Sequence, residues 1–342
     1  MESLTTLDQF LTQAGVQYQV YDLGRRVVPL DPTLFQRFEA TEQPYPYPRA
    51  QHAWLGILFW DPQRSTQHFV WFLKLPLDEQ GKLNPAARSQ FLQMVVEALG
   101  QDPAAAMAPE QQERLNNNPF TFTPTQEKMA LFHARVRQQL AQPPTVHCAP
   151  VQAYLCGHSD PQQWPQLGLQ GFADYLCRFP PQDIPQVVET LKTLPPEPRH
   201  AFASVCEHLS LNDALADAWL MLAMQETSGP QRLMAIRAIA GCPLQRQQGL
   251  DLLLDQPTLD DETLIAIAAR LWQGLDPGRL NRYLGHLAEA RSETFEQIFV
   301  DLVAIPQLRG AILALVQDPA RPKALADAIL CLRQTLRSRN HV

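Results

Sequence analysis

Residues 260–290 read DDETLIAIAARLWQGLDPGRLNRYLGHLAEA, and this stretch decides the fold class. Leu264, Ile267, Ala268 and Leu271 recur at i, i+3, i+4 and i+7, which lines one face of a helix. Asp276 ahead of Pro277 then offers a side-chain cap and a residue whose φ is already helical. The spacing predicts helices over 260–273 and 277–289, with only a short break between them.

The pattern extends in both directions. Helical segments are expected around 168–179, 184–194, 197–209, 212–226, 230–240, 246–255, 292–304, 307–316 and 322–337, separated by proline, glycine or acidic caps. Asn212, Ser292 and Asp318 before Pro319 are the other cap candidates. Ala218–Met224 is apolar nearly all round, which predicts a buried inner helix. Helix pairs recur about every 30 residues without a strict signature, close to the period of helical-hairpin arrays. The expected arrangement is a HEAT-like α-solenoid, with an irregular helical bundle as the alternative.

Upstream the period changes. Leu4, Leu7, Phe10, Leu11 and Ala14 form a helical stripe that Gly15 ends, and Val16, Tyr18 and Val20 then alternate as a strand. A short segment at Asp31–Glu39 precedes the loop Pro44-Tyr45-Pro46-Tyr47-Pro48. The apolar runs Trp54–Trp60 and Phe69–Leu75, joined by the polar stretch Asp61–Gln67, read as an antiparallel hairpin that is covered on both faces or has one face against another domain. Asn84-Pro85 opens a helix that Gly100 ends, and a short helix is expected at Pro109–Leu115. Thr123-Pro124-Thr125-Gln126 begins a linker helix to about Leu140, before a short strand at Val151–Leu155. The expected class is α+β, mainly α: an α/β module with linker helix over 1–160, then an all-helical repeat-like domain over 161–342.

The 342 residues are 45% hydrophobic and 18% charged, a balance that excludes a disordered chain and a collagen-like fibre. Glutamine supplies much of the polarity, with 37 residues, and arginine outnumbers lysine 23 to 5. A net charge of −7 lacks the footprint of a nucleic-acid binder. Arg333, Arg337 and Arg339 near the end fit the negative pole of a last helix, the alternative being an RNA-binding or membrane-surface tail. The opening Met1-Glu2-Ser3-Leu4 is not a secretory signal, no apolar run approaches the ~20 residues of a membrane span, and six scattered cysteines suit a reducing cytoplasm.

Few residues suggest chemistry. His147-Cys148 and Cys156-Gly157-His158 place four metal-capable side chains within twelve residues, but with neither the usual zinc spacing nor a turn to bring the pairs together. Cys206-Glu207-His208 reads as a core cysteine beside a surface glutamate and histidine. Gly168-Leu169-Gln170-Gly171 opens a helix, where both glycines suit close packing on the N-terminal module better than phosphate binding. Gly24-Arg25-Arg26 reads as a turn with solvated charges, the alternative being an anion-binding pair. Tyr45-Pro46-Tyr47-Pro48 is expected to pack across the sheet edge rather than present a recognition strip. No nucleotide, metalloprotease, hydrolase or calcium-loop motif occurs. No catalytic, cofactor-binding or metal-binding residue is assigned.

Leu7-Asp8-Gln9-Phe10-Leu11, Tyr21-Asp22-Leu23-Gly24-Arg25-Arg26, Phe59-Trp60, Trp71-Phe72-Leu73-Lys74-Leu75-Pro76 and Gly168-Leu169-Gln170-Gly171 together resemble a gamma-proteobacterial family of unknown function, DUF3549. The resemblance covers essentially the whole chain. It implies a bacterial cytoplasmic protein and carries no activity, cofactor or catalytic residue. The opening helix–Gly15–strand is also similar to the start of aminoacyl-tRNA deacylase domains, but no catalytic lysine pattern follows.

The functional expectation is a non-enzymatic adaptor that binds a protein partner through a helical-repeat surface. The alternative is an enzyme or small-ligand binder whose pocket lies between module and array; nucleic acid and membrane insertion are not expected.

Overall fold

A computed structural model describes residues 5–61, 63, 67–99 and 118–339. It forms two compact units, Met1–Thr125 with Val303–Arg309, and Gln126–Leu302 with Gly310–Val342.

The first unit is built on a four-stranded antiparallel sheet. Helix α1 (Leu7–Gln13) is capped by Thr6 and stops at Gly15, whose φ of +75° favours a residue without Cβ. It is followed by β1 (Gln17–Asp22), β2 (Val28–Pro29), α2 (Pro32–Glu39), β3 (His52–Trp60), β4 (His68–Pro76) and α3 (Pro85–Leu99). The strand order is β2-β1-β3-β4. The expected hairpin is β3–β4, with Ile57 opposite Trp71 and Phe59 opposite Phe69. Pro29 cannot donate to a ladder, which suits β2 to the edge. Alternation along the strands turns Val20, Leu55, Ile57, Phe59, Leu73 and Leu75 into one core with Phe10 of α1, Phe35 and Phe38 of α2, and Phe91 and Val95 of α3. Trp71 lies at the centre of its aromatic contacts, 4.5 Å from Phe59 and 5.9 Å from Phe91, centroid to centroid.

The second unit is helical throughout its described residues: α4 (Gln126–Gln139), α5 (Cys148–Leu155), α6 (Leu169–Cys177), α7 (Ile184–Thr193), α8 (Pro196–Cys206), α9 (Asp213–Gln225), α10 (Gly229–Ala238), α11 (Pro243–Leu254), α12 (Asp261–Ala266), α13 (Pro277–Ala288), α14 (Ser292–Ala304), α15 (Pro306–Gln317) and α16 (Lys323–Arg339). Pro306–Arg309, at the start of α15, belongs by its contacts to the first unit. A π turn (Ile267–Leu271) and a 3₁₀ turn (Trp272–Gly274) continue α12. Asn212 and Asp276 cap α9 and α13, as expected. Through the array, helices pack on the next but one: α4 on α6, α6 on α8, α8 on α10 and α10 on α12; likewise α5 on α7, α7 on α9, α9 on α11 and α11 on α13.

Three expectations are corrected. Val151–Leu155 is not a strand but part of α5, where Val151, Tyr154 and Leu155 share one buried face; i, i+3, i+4 spacing in so short an apolar run does not distinguish the two periods. Ala218–Met224 is not buried all round, because packing covers Trp219, Leu220 and Ala223 but leaves Met221 and Met224 exposed. Asp318 holds the amide of Ala320 in a turn, and α16 begins only at Lys323. The helix expected at Pro109–Leu115, the Gly100 stop and most of the Asp61–Gln67 loop lie outside the described residues.

Candidate functional site

The helical unit is tied together by polar contacts that recur at nearly constant separation. Gln245 of α11 donates to Asp217 of α9 at 2.8 Å, 28 residues apart. Arg279 of α13 binds Asp251 of α11 at 2.7 Å, again 28 apart, and Arg282 reaches both Asp251 and Asp255. In the other row Arg237 of α10 binds Glu207 at the end of α8, 30 apart, and Arg291 before α14 binds Asp261 of α12, also 30 apart. Each pair joins a helix to the next but one, so the separation equals the length of one helix pair.

Glu207 departs most from expectation. It is 4% exposed and its neighbour His208 3% exposed, rather than lying on the surface. Arg237 donates to Oε2 at 2.9 Å and Arg270, on the π turn after α12, donates to Oε1 at 2.8 Å; His208 Nε2 lies 3.5 Å away. One carboxylate therefore joins three helices of a row. Burial opposes its ionisation, but Arg270, His208 and Arg237 outweigh it and hold the carboxyl down at about 2. The cluster joins helices and is not arranged as a nucleophile with its base: Cys206 is fully buried and its thiol is pushed well up by burial.

His147 precedes α5, Cys148 begins it, and Cys156-Gly157-His158 follows its end, so eight residues of helix hold the two cysteines ~12 Å apart along its axis. Cys156 Sγ lies 3.6 Å from the Tyr175 hydroxyl, which donates to Asp183 Oδ2 at 2.8 Å. Thr145, by its amide and hydroxyl, donates to the buried Asp174 near Cys148. Burial raises both thiols above their usual range, assisted by Asp174 at Cys148 and Asp183 at Cys156, which disfavours the thiolate that metal binding or nucleophilic attack needs. Among the described residues no three His, Cys, Asp or Glu side chains are grouped to hold a metal ion.

The remaining motifs make packing and turn contacts. Gly171 faces α5 so closely that a Cβ would lie 2.3 Å from the His147 carbonyl oxygen and 2.7 Å from Val151, while nothing lies within 4 Å at Gly168. The Arg25 charge is not solvated: its side chain is 2% exposed and donates to the Pro48 carbonyl at 2.8 Å. Asp22 organises that turn, accepting the amides of Gly24 and Arg25 and the Tyr45 hydroxyl at 2.7 Å. Tyr45 is fully buried and packs on Phe38 and Tyr47. Arg333 and Arg337 are exposed on α16.

What the helical unit offers to solvent is apolar in places. Met221 and Met224 on α9 are 51% and 59% exposed, and Leu244 on the neighbouring α11 is 63% exposed. The acidic Asp213 and Asp217 lie on the same helix as the methionines, and α9 carries no basic residue. The methionines recur at i, i+3, and the signal that could have found them is the very breadth of apolarity that suggested full burial: packing on α7, α10 and α11 cannot cover every side of α9. The Glu207 cluster also left a trace, an acidic residue followed by arginine about 30 positions later, repeated at Asp251–Arg282 and Asp261–Arg291.

No curated protein and no solved structure matches this chain. The family of proteins of unknown function DUF3549 does, over residues 2–333, and that match extends from ahead of α1 into the last helix; the chain belongs to this family.

Proposed function

We propose that the protein is a non-enzymatic cytoplasmic adaptor whose helical unit is a degenerate, HEAT-like solenoid presenting a surface to a protein partner. The observation that carries this reading is the exposure of Met221, Met224 and Leu244 on two adjacent helices of one row. Large apolar side chains left exposed on neighbouring helices are material for a contact surface, and methionine adapts to irregular partners. The next-but-one packing and the ties about 30 residues apart support the repeat architecture. They make each helix pair depend on its neighbours and leave the outer faces free for recognition. No helix among the described residues is long and apolar enough to cross a membrane.

The test compares the protein with a Met221→Asp/Met224→Asp variant in affinity purification from the native host. A partner retained stoichiometrically by the first and lost by the second, with unchanged circular dichroism, is expected. Identical sets of co-purifying proteins would remove this surface from the account.

A further inference from the structure

We infer that α9, with the start of α11, receives a basic amphipathic helix of a protein partner. The apolar side of that helix rests on Met221, Met224 and Leu244, and its lysine or arginine side chains meet Asp213 and Asp217. This rests on the adaptor reading and names the chemistry of the partner. Asp213, Asp217, Met221 and Met224 follow one another at i, i+4, i+8 and i+11, so they form one stripe along α9, about 17 Å from end to end. All four are exposed. Gln245 of α11 donates to Asp217 at 2.8 Å, which sets the preceding Leu244, also exposed, beside the stripe.

The uncompensated charge of this face is negative. Among the described residues neither Asp213 nor Asp217 is in an ion pair, and α9 carries no basic residue. The helices packed on α9 are α7, α10 and α11, and each lysine or arginine on them has an acceptor of its own. Lys192 binds Glu189 at 2.6 Å, Arg232 donates to the Glu226 carbonyl at 2.7 Å, Arg237 binds Glu207 at 2.8 Å, and the buried Arg246 donates to the Ala240 carbonyl at 2.8 Å. Arg279 and Arg282 of α13, the next helix of the row, are taken by Asp251 and Asp255. A second copy docked on this face would set like carboxylates against each other, and an acidic segment would meet the same repulsion. A helix that carries cations beside apolar side chains suits both halves of the stripe. Lysine and arginine lay a hydrocarbon stem on apolar surface with the charge at the tip, and methionine shapes itself to the side chains it meets.

The methionines report on the stripe directly. The full chain has seven, so isotopic labelling of their methyl groups gives few NMR signals, and Met221→Leu and Met224→Leu assign two of them. Three amphipathic peptides are titrated, each with leucines on one side and with lysine, glutamine or glutamate on the other. The lysine peptide is expected to shift the Met221 and Met224 signals and to bind about tenfold more tightly than the glutamine peptide, an advantage that fades with salt. The glutamate peptide is expected not to bind. Asp213→Asn/Asp217→Asn keeps an acceptor for Gln245 and is expected to remove the advantage. Glu127→Gln/Glu262→Gln, which neutralises two exposed carboxylates elsewhere, is expected to preserve it. No binding of the lysine peptide, binding that leaves both methionine signals unmoved, equal affinity for the lysine and glutamine peptides, or an advantage untouched by the aspartate substitutions would each overturn the proposal. Purification from the native host separates this failure from that of the adaptor reading. A partner lost on Met221→Asp/Met224→Asp but fully kept by Asp213→Asn/Asp217→Asn would leave an adaptor and remove the basic helix.

Discussion

Glu39 and Glu207 are both buried carboxylates, yet their environments move them in opposite directions. Glu39 accepts the amides of Leu7 and Asp8 at 2.9 Å each, but burial dominates and pushes its carboxyl from 4.5 up to about 7. A raised value means that its protonated form favours the folded state. The contribution is full below pH 4.5 and is lost as pH rises through 7, a change of about 3 kcal/mol. Glu39→Gln should therefore flatten the pH dependence of the urea midpoint between pH 5 and 8; equal slopes in both proteins would show that this carboxyl is not the source. Glu207 has the opposite sign. Its stabilisation is present above 4.5 and is lost as pH falls toward 2, because the arginines must then give up an ionised partner. Glu207→Gln at pH 7 removes the anion and one of the two acceptor oxygens that Arg237 and Arg270 share, and should cost about 3 kcal/mol, the lower end for such pairs because both guanidinium groups retain some solvent. The difference between the two proteins in an acid titration should narrow below pH 4.5, and a constant gap would contradict the assignment.

At the scale of elements, the close approach of α5 and α6 depends on one residue. Gly171→Ala would drive a Cβ into the His147 carbonyl, and neither backbone can yield without separating the helices. A loss of about 2 kcal/mol or more is expected, seen as a lower melting temperature, whereas Gly168→Ala has open space and should be nearly neutral. If both substitutions prove equally mild, the helices are not packed as described. Helix boundaries in this unit were legible because proline and acidic caps act locally: Asp276 accepts the Arg279 amide at 2.9 Å whatever the rest of the chain does. The identity of α5 was not legible, because eight residues supply too few turns for either period to dominate. Nor was the burial of Glu207, whose partners lie 30 and 63 residues away.

Over the whole molecule, most contacts in the helical unit are between successive or next-but-one helices, with α13 also packing on α16, so a local lesion should stay largely local. Arg279→Ala removes the ties to Asp251 and Asp276 and should speed hydrogen exchange in α11 and α13 while leaving α6 and α8 protected. Uniform acceleration across the unit would mean that it opens as one cooperative block. The first unit is organised differently: strands far apart in sequence share one aromatic core, and substituting Phe91 by alanine should cost about 3–5 kcal/mol because the resulting cavity lies at the meeting point of α3 and β4.

By itself the sequence determined the class of structure: helices by 3.6-residue periodicity and caps, the hairpin by its two apolar runs, and the roughly 30-residue spacing of the array. These are properties of short segments, set by backbone geometry and by the side chains within a turn or two. The tertiary structure alone decided which polar groups are buried and which apolar ones are left out. Glu207 is inside because two arginines reach it from later helices, and Met221 and Met224 are outside because three neighbouring helices do not encircle α9. Burial depends on everything that surrounds a residue, and that surrounding exists only once distant segments have packed.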